Sequence, residues 1–360
     1  MRKTALLSAI LIFALLICSC GAAGESEALI KEWKPGGAIE AVLKADKKND
    51  RVALIVGDGG VDDHGFNQSA WEGLQLLKHS LGTTVEYTIS EIDEYEEKFV
   101  SFAENGYDLC WGLGYDSAEG LLSAAKKYPD VHFAIIDNAY EETPENVTSV
   151  VFRAQEMSFL VGYIAGAATK TGKTGFVGGV KSEVIDQFEY GFRAGAAYAG
   201  SIYGKDIEVF VEYVDNYYDD VKGKALAKEM YEKGADIIYA AAGGAGLGVI
   251  DMAKEAGKFV IGVDKDQSYL APKNILTSGM KMVDVAIYLV STDFEEGRDI
   301  KGKTISFGLA EGAVGIPENH DNYSDKIYDE AIDLSDLIKE GEIVPPSSEA
   351  EFVVFAENLK

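Results

Sequence analysis

The stretch from Val52 to Asn67, VALIVGDGGVDDHGFN, runs an apolar strand into a loop of glycines and acids that opens a helix. In an α/β protein, ligands bind at such strand ends. The loop carries Asp58, Asp62 and Asp63, the aromatic Phe66 and the amide of Asn67. That mixture suits a polar, flat, uncharged or cationic small molecule. A phosphate would be repelled by three neighbouring acids. Asp62 and Asp63 stand just before the helix, where capping is a commoner use of aspartate than metal binding.

Residues at the carboxyl ends of parallel strands converge on one edge even when far apart in sequence. On the predicted strands those ends hold Asp58, residues 112–115, Asp137, residues 239–246 and Asp264. Two segments imitate phosphate loops and both fail on spacing. In GAATKTGKT at 166–174 the first glycine comes one residue too early, and the segment leaves a helix rather than a strand. The run GGAGLG at 243–248 follows a strand, but counting from Gly244 and Gly246 the third glycine of a dinucleotide fingerprint would fall on Val249. Its glycines still let a ligand approach backbone N–H groups at a helix start. No catalytic motif occurs around His64, His79, His132 or His320, and no metal or cofactor is expected. The segment DKDQ at 264–267 begins like a calcium loop but lacks its glycine and distal glutamate.

These positions need a scaffold. Strands are predicted at 52–58, 84–89, 109–112, 132–137 and 147–152, then at 174–178, 207–214, 237–241 and 259–264, with 275–281 and 305–309 near the end. Helical periods lie between most of them, including 67–78 and a long one at 155–170 whose small residues suit close packing against a sheet. The alternation restarts at Thr174, so a second lobe of the same kind should face the first. Late crossings between the lobes would make a hinge with a central cleft.

The first twenty residues read as a secretion signal: Arg2 and Lys3, then an apolar run, then small residues. The run is short for a membrane span. Its end, ICSC, resembles a bacterial lipobox with Cys20 as the acylated residue, which makes 1–19 a signal peptide and 20–50 a tether. Cys110 is then the one thiol left in the folded part, and no intramolecular disulfide forms. About 310 residues remain for one or two α/β lobes. The formal charge of −27 argues against wrapping nucleic acid, which needs basic residues to replace counterions.

Six stretches together resemble one family: DGGVDDHGFNQSAWEG at 58–73, VVFRAQEMSFLVG at 150–162, GADIIYAAAGGAGLGVI at 234–250, VIGVDKDQ at 260–267, LTSGMKMVD at 276–284 and FGLAEGAVGIP at 307–317. In this order they resemble the basic-membrane-protein family of lipoprotein substrate-binding proteins, most closely its purine nucleoside receptor A members. The resemblance implies an α/β, type I periplasmic-binding protein fold of two Rossmann-like lobes. The expected division is 51–152 plus about 274–304 in the N-terminal lobe, and 153–273 plus about 305–360 in the C-terminal lobe. It also implies an exported monomer, held to the cell membrane by lipid at Cys20 on its periplasmic or extracellular face and passing a purine nucleoside to an ABC permease.

Carried over residue by residue, the family's base sandwich falls on Phe66 and Tyr239. Its polar base contacts fall on Asp58, Asn67 and Asp137, and its ribose contacts on Asp264 and Lys281, with Gly244 in the adjacent turn. Taken alone, Lys281 would be an exposed lysine at a helix start. The chain departs from close relatives at Tyr239, where they carry phenylalanine, and at His64-Gly65, where lysine and serine are usual; the span from Asp264 to Lys281 is also shorter. The alternatives are the same fold binding a sugar or other small polar metabolite, an exported nucleoside-processing enzyme, and a surface adhesin.

Overall fold

The computed structural model describes residues 50–57 and 59–359. The expected signal and tether, Cys20 and Asp58 lie outside the described residues.

The central strand β1 (Arg51–Val56) is apolar on both faces because both faces are covered, and its residues from Val52 onward are fully buried. It pairs in parallel with β2 (Thr84–Ile89), an edge strand, and with β3 (Leu109–Leu113). Outward from β3 come β4 (His132–Ile136), β5 (Val147–Phe152) and β11 (Lys303–Phe307), all parallel. The second sheet repeats the plan around β6 (Lys173–Gly178). Its order is β12-β10-β9-β8-β6-β7, with β7 (Glu208–Tyr213), β8 (Ile237–Ala241), β9 (Phe259–Asp264) and β10 (Ile275–Lys281) parallel. Only the short β12 (Val314–Gly315) runs antiparallel.

The lobe boundaries differ from the expected ones near the end of the chain. Residues 275–281, expected in the first lobe, form β10, which pairs with β9 in the second sheet. The chain returns to the first lobe only with the helix Val283–Glu295, whose start packs on Phe66–Leu81: a Cβ on Gly73 would lie 2.5 Å from the Asp284 carbonyl. Residues 305–307, expected in the second lobe, belong to β11 of the first sheet. The chain therefore crosses between lobes three times, after β5, after β10 and after β11.

Arg153 ties the first and third crossings together. Its Nε lies 2.6 Å from Glu156 Oε1, its Nη2 2.5 Å from Glu311 Oε2 and its Nη1 3.2 Å from Ser306 Oγ. Glu156 in turn accepts the Leu309 N–H at 2.7 Å.

The long helix is Ala154–Ala168, and its small residues meet another helix, Glu183–Tyr203, more closely than a sheet. A Cβ on Gly195 would lie 1.9 Å from the Phe159 carbonyl oxygen, and one on Gly162 2.1 Å from that of Phe192. Backbones this close admit no side chain. Gly195→Ala is expected to destabilise the protein by about 1–3 kcal/mol through overpacking; an unchanged urea midpoint would refute this contact.

Candidate functional site

The carboxyl edges of both sheets face one another across a cleft of about 780 Å³. On the first lobe the Asp63 carboxylate accepts the N–H groups of Gly65 at 3.1 Å, Asn67 at 2.9 Å and Gln68 at 2.9 Å. Asp63 is therefore a helix cap, satisfying donors that the first turn leaves without partners. Capping presents Phe66, the first helical residue, to the cleft. Asn67 also lines the cleft, and its amide nitrogen donates to the Gly60 carbonyl at 2.9 Å, fixing the loop that precedes it. Asp62 stays exposed at the rim.

On the floor of the cleft, Lys281 reaches from the end of β10 across to the other lobe. Its Nζ lies 2.5 Å from Asp137 Oδ2, beyond the end of β4, and 3.9 Å from Asp264 Oδ1 at the end of β9. The same ammonium sits 4.5 Å from the centroid of the Phe66 ring and 5.5 Å from those of Phe152 and Phe188. With a side chain only 4% exposed, Lys281 is part of the floor and not a surface lysine. Carboxylates and aromatic faces both favour a cation held there.

Asp264 is the strained member of this set. Burial pushes its carboxyl up to about 6; the charges of Asp137 and Asp63 add to the rise and Lys281 opposes it. Asp137 and Asp264 also hold positive φ, 60° and 65°, a region that aspartate tolerates better than most residues but still at a cost. The strain aims both carboxylates into the cleft at the points where their strands end.

Tyr239 does not reach this floor. It is fully buried, its ring enclosed by Phe192 at 5.4 Å, Phe176 at 5.8 Å and Phe188 at 6.5 Å, and its hydroxyl stands 3.5 Å from Ser158 Oγ. The reason is positional: residue 239 is in the middle of β8, where a side chain points into the helix layer, and only residues at or past the strand end face the ligand edge. Ala241, Gly243 and Gly244 do line the cleft, so the glycine turn lies where the sequence puts it.

The second lobe instead offers Phe188 and Tyr217 to the cleft, neither singled out from the sequence. Phe188 lies in the second turn of the helix after β6, whose Ser182 caps its start. A strand followed by an aromatic near the start of the next helix is the pattern that exposed Phe66, and it was the available signal for Phe188. Tyr217 follows β7 and lies flush on a glycine: a Cβ on Gly179 would sit 2.2 Å from its ring. Across from it on the first lobe stand Tyr115 and Asp116.

Beside the cleft the lobes touch directly. His64 Nδ1 lies 3.0 Å from the Tyr269 hydroxyl, Gln267 Nε2 donates to the His64 carbonyl at 3.0 Å, and Lys265 pairs with Glu72. Gly65 brings this loop onto Asp264, since a Cβ there would stand 3.5 Å from Asp264 Oδ2. Among the described residues, no three His, Cys, Asp or Glu side chains gather in a way that could hold a metal, and no helix is long and apolar enough to cross a membrane.

Residues 50–349 match the Bmp family model, described as ABC transporter substrate-binding protein PnrA-like. Basic membrane protein D of Borreliella burgdorferi (strain JD1) is 39% identical over 317 residues, covering 86% of this chain and 91% of that protein. Basic membrane protein A of Borreliella burgdorferi (strain ATCC 35210 / DSM 4680 / CIP 102532 / B31) is 38% identical over 314 residues, with 86% and 91% covered. Among solved structures, an ABC transporter solute-binding protein of Aeropyrum pernix K1 superposes with a TM-score of 0.77 at 28% identity, covering 86% of this chain and 97% of that one. A LacI family regulator of Enterococcus faecium with bound ribose shares the fold alone, at a TM-score of 0.55 and 14% identity over 75% of this chain and 97% of that one.

Proposed function

From the premise that the chain belongs to the PnrA-like family of ABC transporter substrate-binding proteins, we propose that its cleft takes a purine nucleoside and that Cys20 carries a lipid anchor. The family consists of binding proteins, not enzymes, and a binding protein of this kind serves a permease. The observation that carries the ligand assignment is the floor of the cleft, where Phe66 and Phe188 flank a set of two carboxylates and one ammonium. Aromatic faces stack on a flat base. Carboxylates accept hydrogen bonds from ribose hydroxyls or a purine N–H.

In this assignment Phe66, Asp58, Asn67 and Asp137 meet the base, while Asp264, Lys281 and the N–H groups around Gly244 meet the ribose. The Asp264 carboxylate accepts no hydrogen bond from any described residue, so it is open to a hydroxyl donor. Calorimetry on the chain after Cys20 should show inosine, guanosine or adenosine binding one to one. No heat with any of the three would overturn the nucleoside assignment in favour of a sugar or another small polar metabolite, which mass spectrometry of copurified ligand would identify.

The pH dependence has a defined sign. Bound hydroxyls need Asp264 ionised, and in the free protein its pKa is raised to about 6. Affinity should be flat above that pH and fall by up to about tenfold per unit below it, because the proton must leave before the ligand enters. A profile flat down to pH 5 would remove Asp264 from the ribose contacts. For the anchor, the full chain should partition into detergent and Cys20→Ser should remain in the aqueous phase; equal partitioning would exclude it.

A further inference from the structure

We propose that Gln267, which lies outside the cleft lining, is the positioning residue that holds Asp264 for the ribose hydroxyls, and that it thereby sets a preference for ribonucleosides over their dideoxy analogues. The proposal rests on the nucleoside assignment above and deepens it. Its starting point is the backbone at Asp264. The Lys265 N–H donates to the Val263 carbonyl at 2.8 Å, closing a three-residue turn around Asp264, whose φ is 65°. A γ-turn with a positive central φ is the rare, strained form. Such strain persists only where the surroundings over-determine it.

Gln267 supplies that restraint. It is buried, and its side-chain oxygen accepts the N–H of Val263, the residue before the strained one, at 3.1 Å. Its side-chain nitrogen donates to the His64 carbonyl of the first lobe at 3.0 Å, and its own N–H donates to Ser278 Oγ on β10 at 3.1 Å. One end of the amide therefore meets a donor and the other an acceptor. An amide satisfies both at once; a carboxylate would set an oxygen against the His64 carbonyl, and an aliphatic chain would satisfy neither. Gly262 leaves room for this side chain, since a Cβ there would lie 2.6 Å from Gln267 Oε1.

The consequence for the site comes from what lies on either side of Asp264. Val263 is tied through Gln267 to the loop before Phe66, and Lys265 pairs with Glu72 on the helix that Phe66 opens. The strained turn is thus fixed against the first lobe from both sides. The Phe66 loop has its own supports, in the Asp63 cap and the Asn67 bond to Gly60, so the loss of Gln267 falls on Asp264. A hydroxyl bond to a carboxylate depends on its distance and angle, which a released turn no longer holds. Stacking of the base on Phe66 does not pass through Asp264.

Calorimetry on the full chain in detergent tests this, with whichever of adenosine, inosine and guanosine binds most tightly and with its 2′,3′-dideoxy analogue. The intact protein is expected to prefer the ribonucleoside about tenfold, because its hydroxyls bond to a charged acceptor. Gln267→Leu should weaken ribonucleoside binding about fivefold and dideoxynucleoside binding less than about twofold, so that the preference narrows. Gln267→Glu fills the same volume and keeps the bond to Val263 while opposing the His64 carbonyl; at pH 8 it should narrow the preference in the same direction, and it serves where the leucine variant does not fold. An unchanged preference in a folded variant, or an equal loss for both ligands, overturns the inference and leaves the nucleoside assignment standing. Absence of any preference in the intact protein removes the ribose contact and the inference with it, while heat from both ligands keeps the nucleoside assignment. No heat with any of the three nucleosides removes both.

Discussion

Replacing Lys281 with methionine is expected to lower the unfolding free energy by about 3 kcal/mol at pH 7, the low end of the cost of removing one partner from a buried ion pair. The low end applies because the cleft opens to water. The substitution leaves Asp137 and Asp264 facing one another without their cation, with the Lys281 side chain 4% exposed and theirs 10% and 7% in the intact protein. Asp264, whose pKa already stands at about 6, would be pushed higher. A carboxylate with a raised folded pKa penalises the folded state above that pKa, and the penalty disappears as the pH falls toward the unfolded value. Urea unfolding of Lys281→Met should therefore show a smaller deficit at pH 5 than at pH 7. An equal deficit at both would mean that lost packing, and not an abandoned carboxylate, explains the effect.

Phe66→Ala is expected to weaken nucleoside binding at least tenfold, about 1.4 kcal/mol. Stacking contributes roughly 0.5–1.5 kcal/mol beyond the area it buries, and the variant loses both. Phe188→Ala should cost a comparable factor if it is the opposing wall. Tyr239→Phe should change affinity less than twofold, since the hydroxyl it removes points toward Ser158 inside the lobe. Calorimetry on the three variants tests this; no loss with Phe188→Ala would remove Phe188 as the second wall.

The contrast between Phe66 and Tyr239 shows which parts of the site were legible. Strands buried on both faces announce themselves as apolar runs, and the ends of β1, β8 and β9 lie close to where the sequence puts them. A residue just past such an end, as Phe66 is, can be placed on the ligand edge from the sequence. Tyr239 sits two residues short of an end, on the face it shares with Ala241, and its depth along the strand buries it in the lobe. Phe188 is the converse case: an aromatic on an amphipathic helix reads as core, although its place in the second turn after β6 carries the same signal as Phe66. Lys281 and Asp137 stand 144 residues apart, so no local pattern could pair them.

The same limit explains the misplaced lobe boundary. Residues 275–281 and 303–307 are both short strands, and local composition does not say which sheet a strand joins. Pairing is decided by neighbours far away in the chain, β9 for one and β5 for the other. Asp63 was legible for the opposite reason, because a cap involves only the next few residues.

The late return of β11 to the first sheet sets the order in which the molecule can be built. Strands β1 to β5 are made early, yet their sheet stays one strand short until Phe307 has been synthesised, by which time most of the second lobe exists. Cut between β5 and β6, the first half of the chain lacks β11 and cannot complete its sheet, whereas the second half holds every strand of its own. Pairings of such long sequence separation form slowly. A chain that cannot finish its first sheet until late in synthesis stays threadable for longer, which would suit the export expected from its first twenty residues.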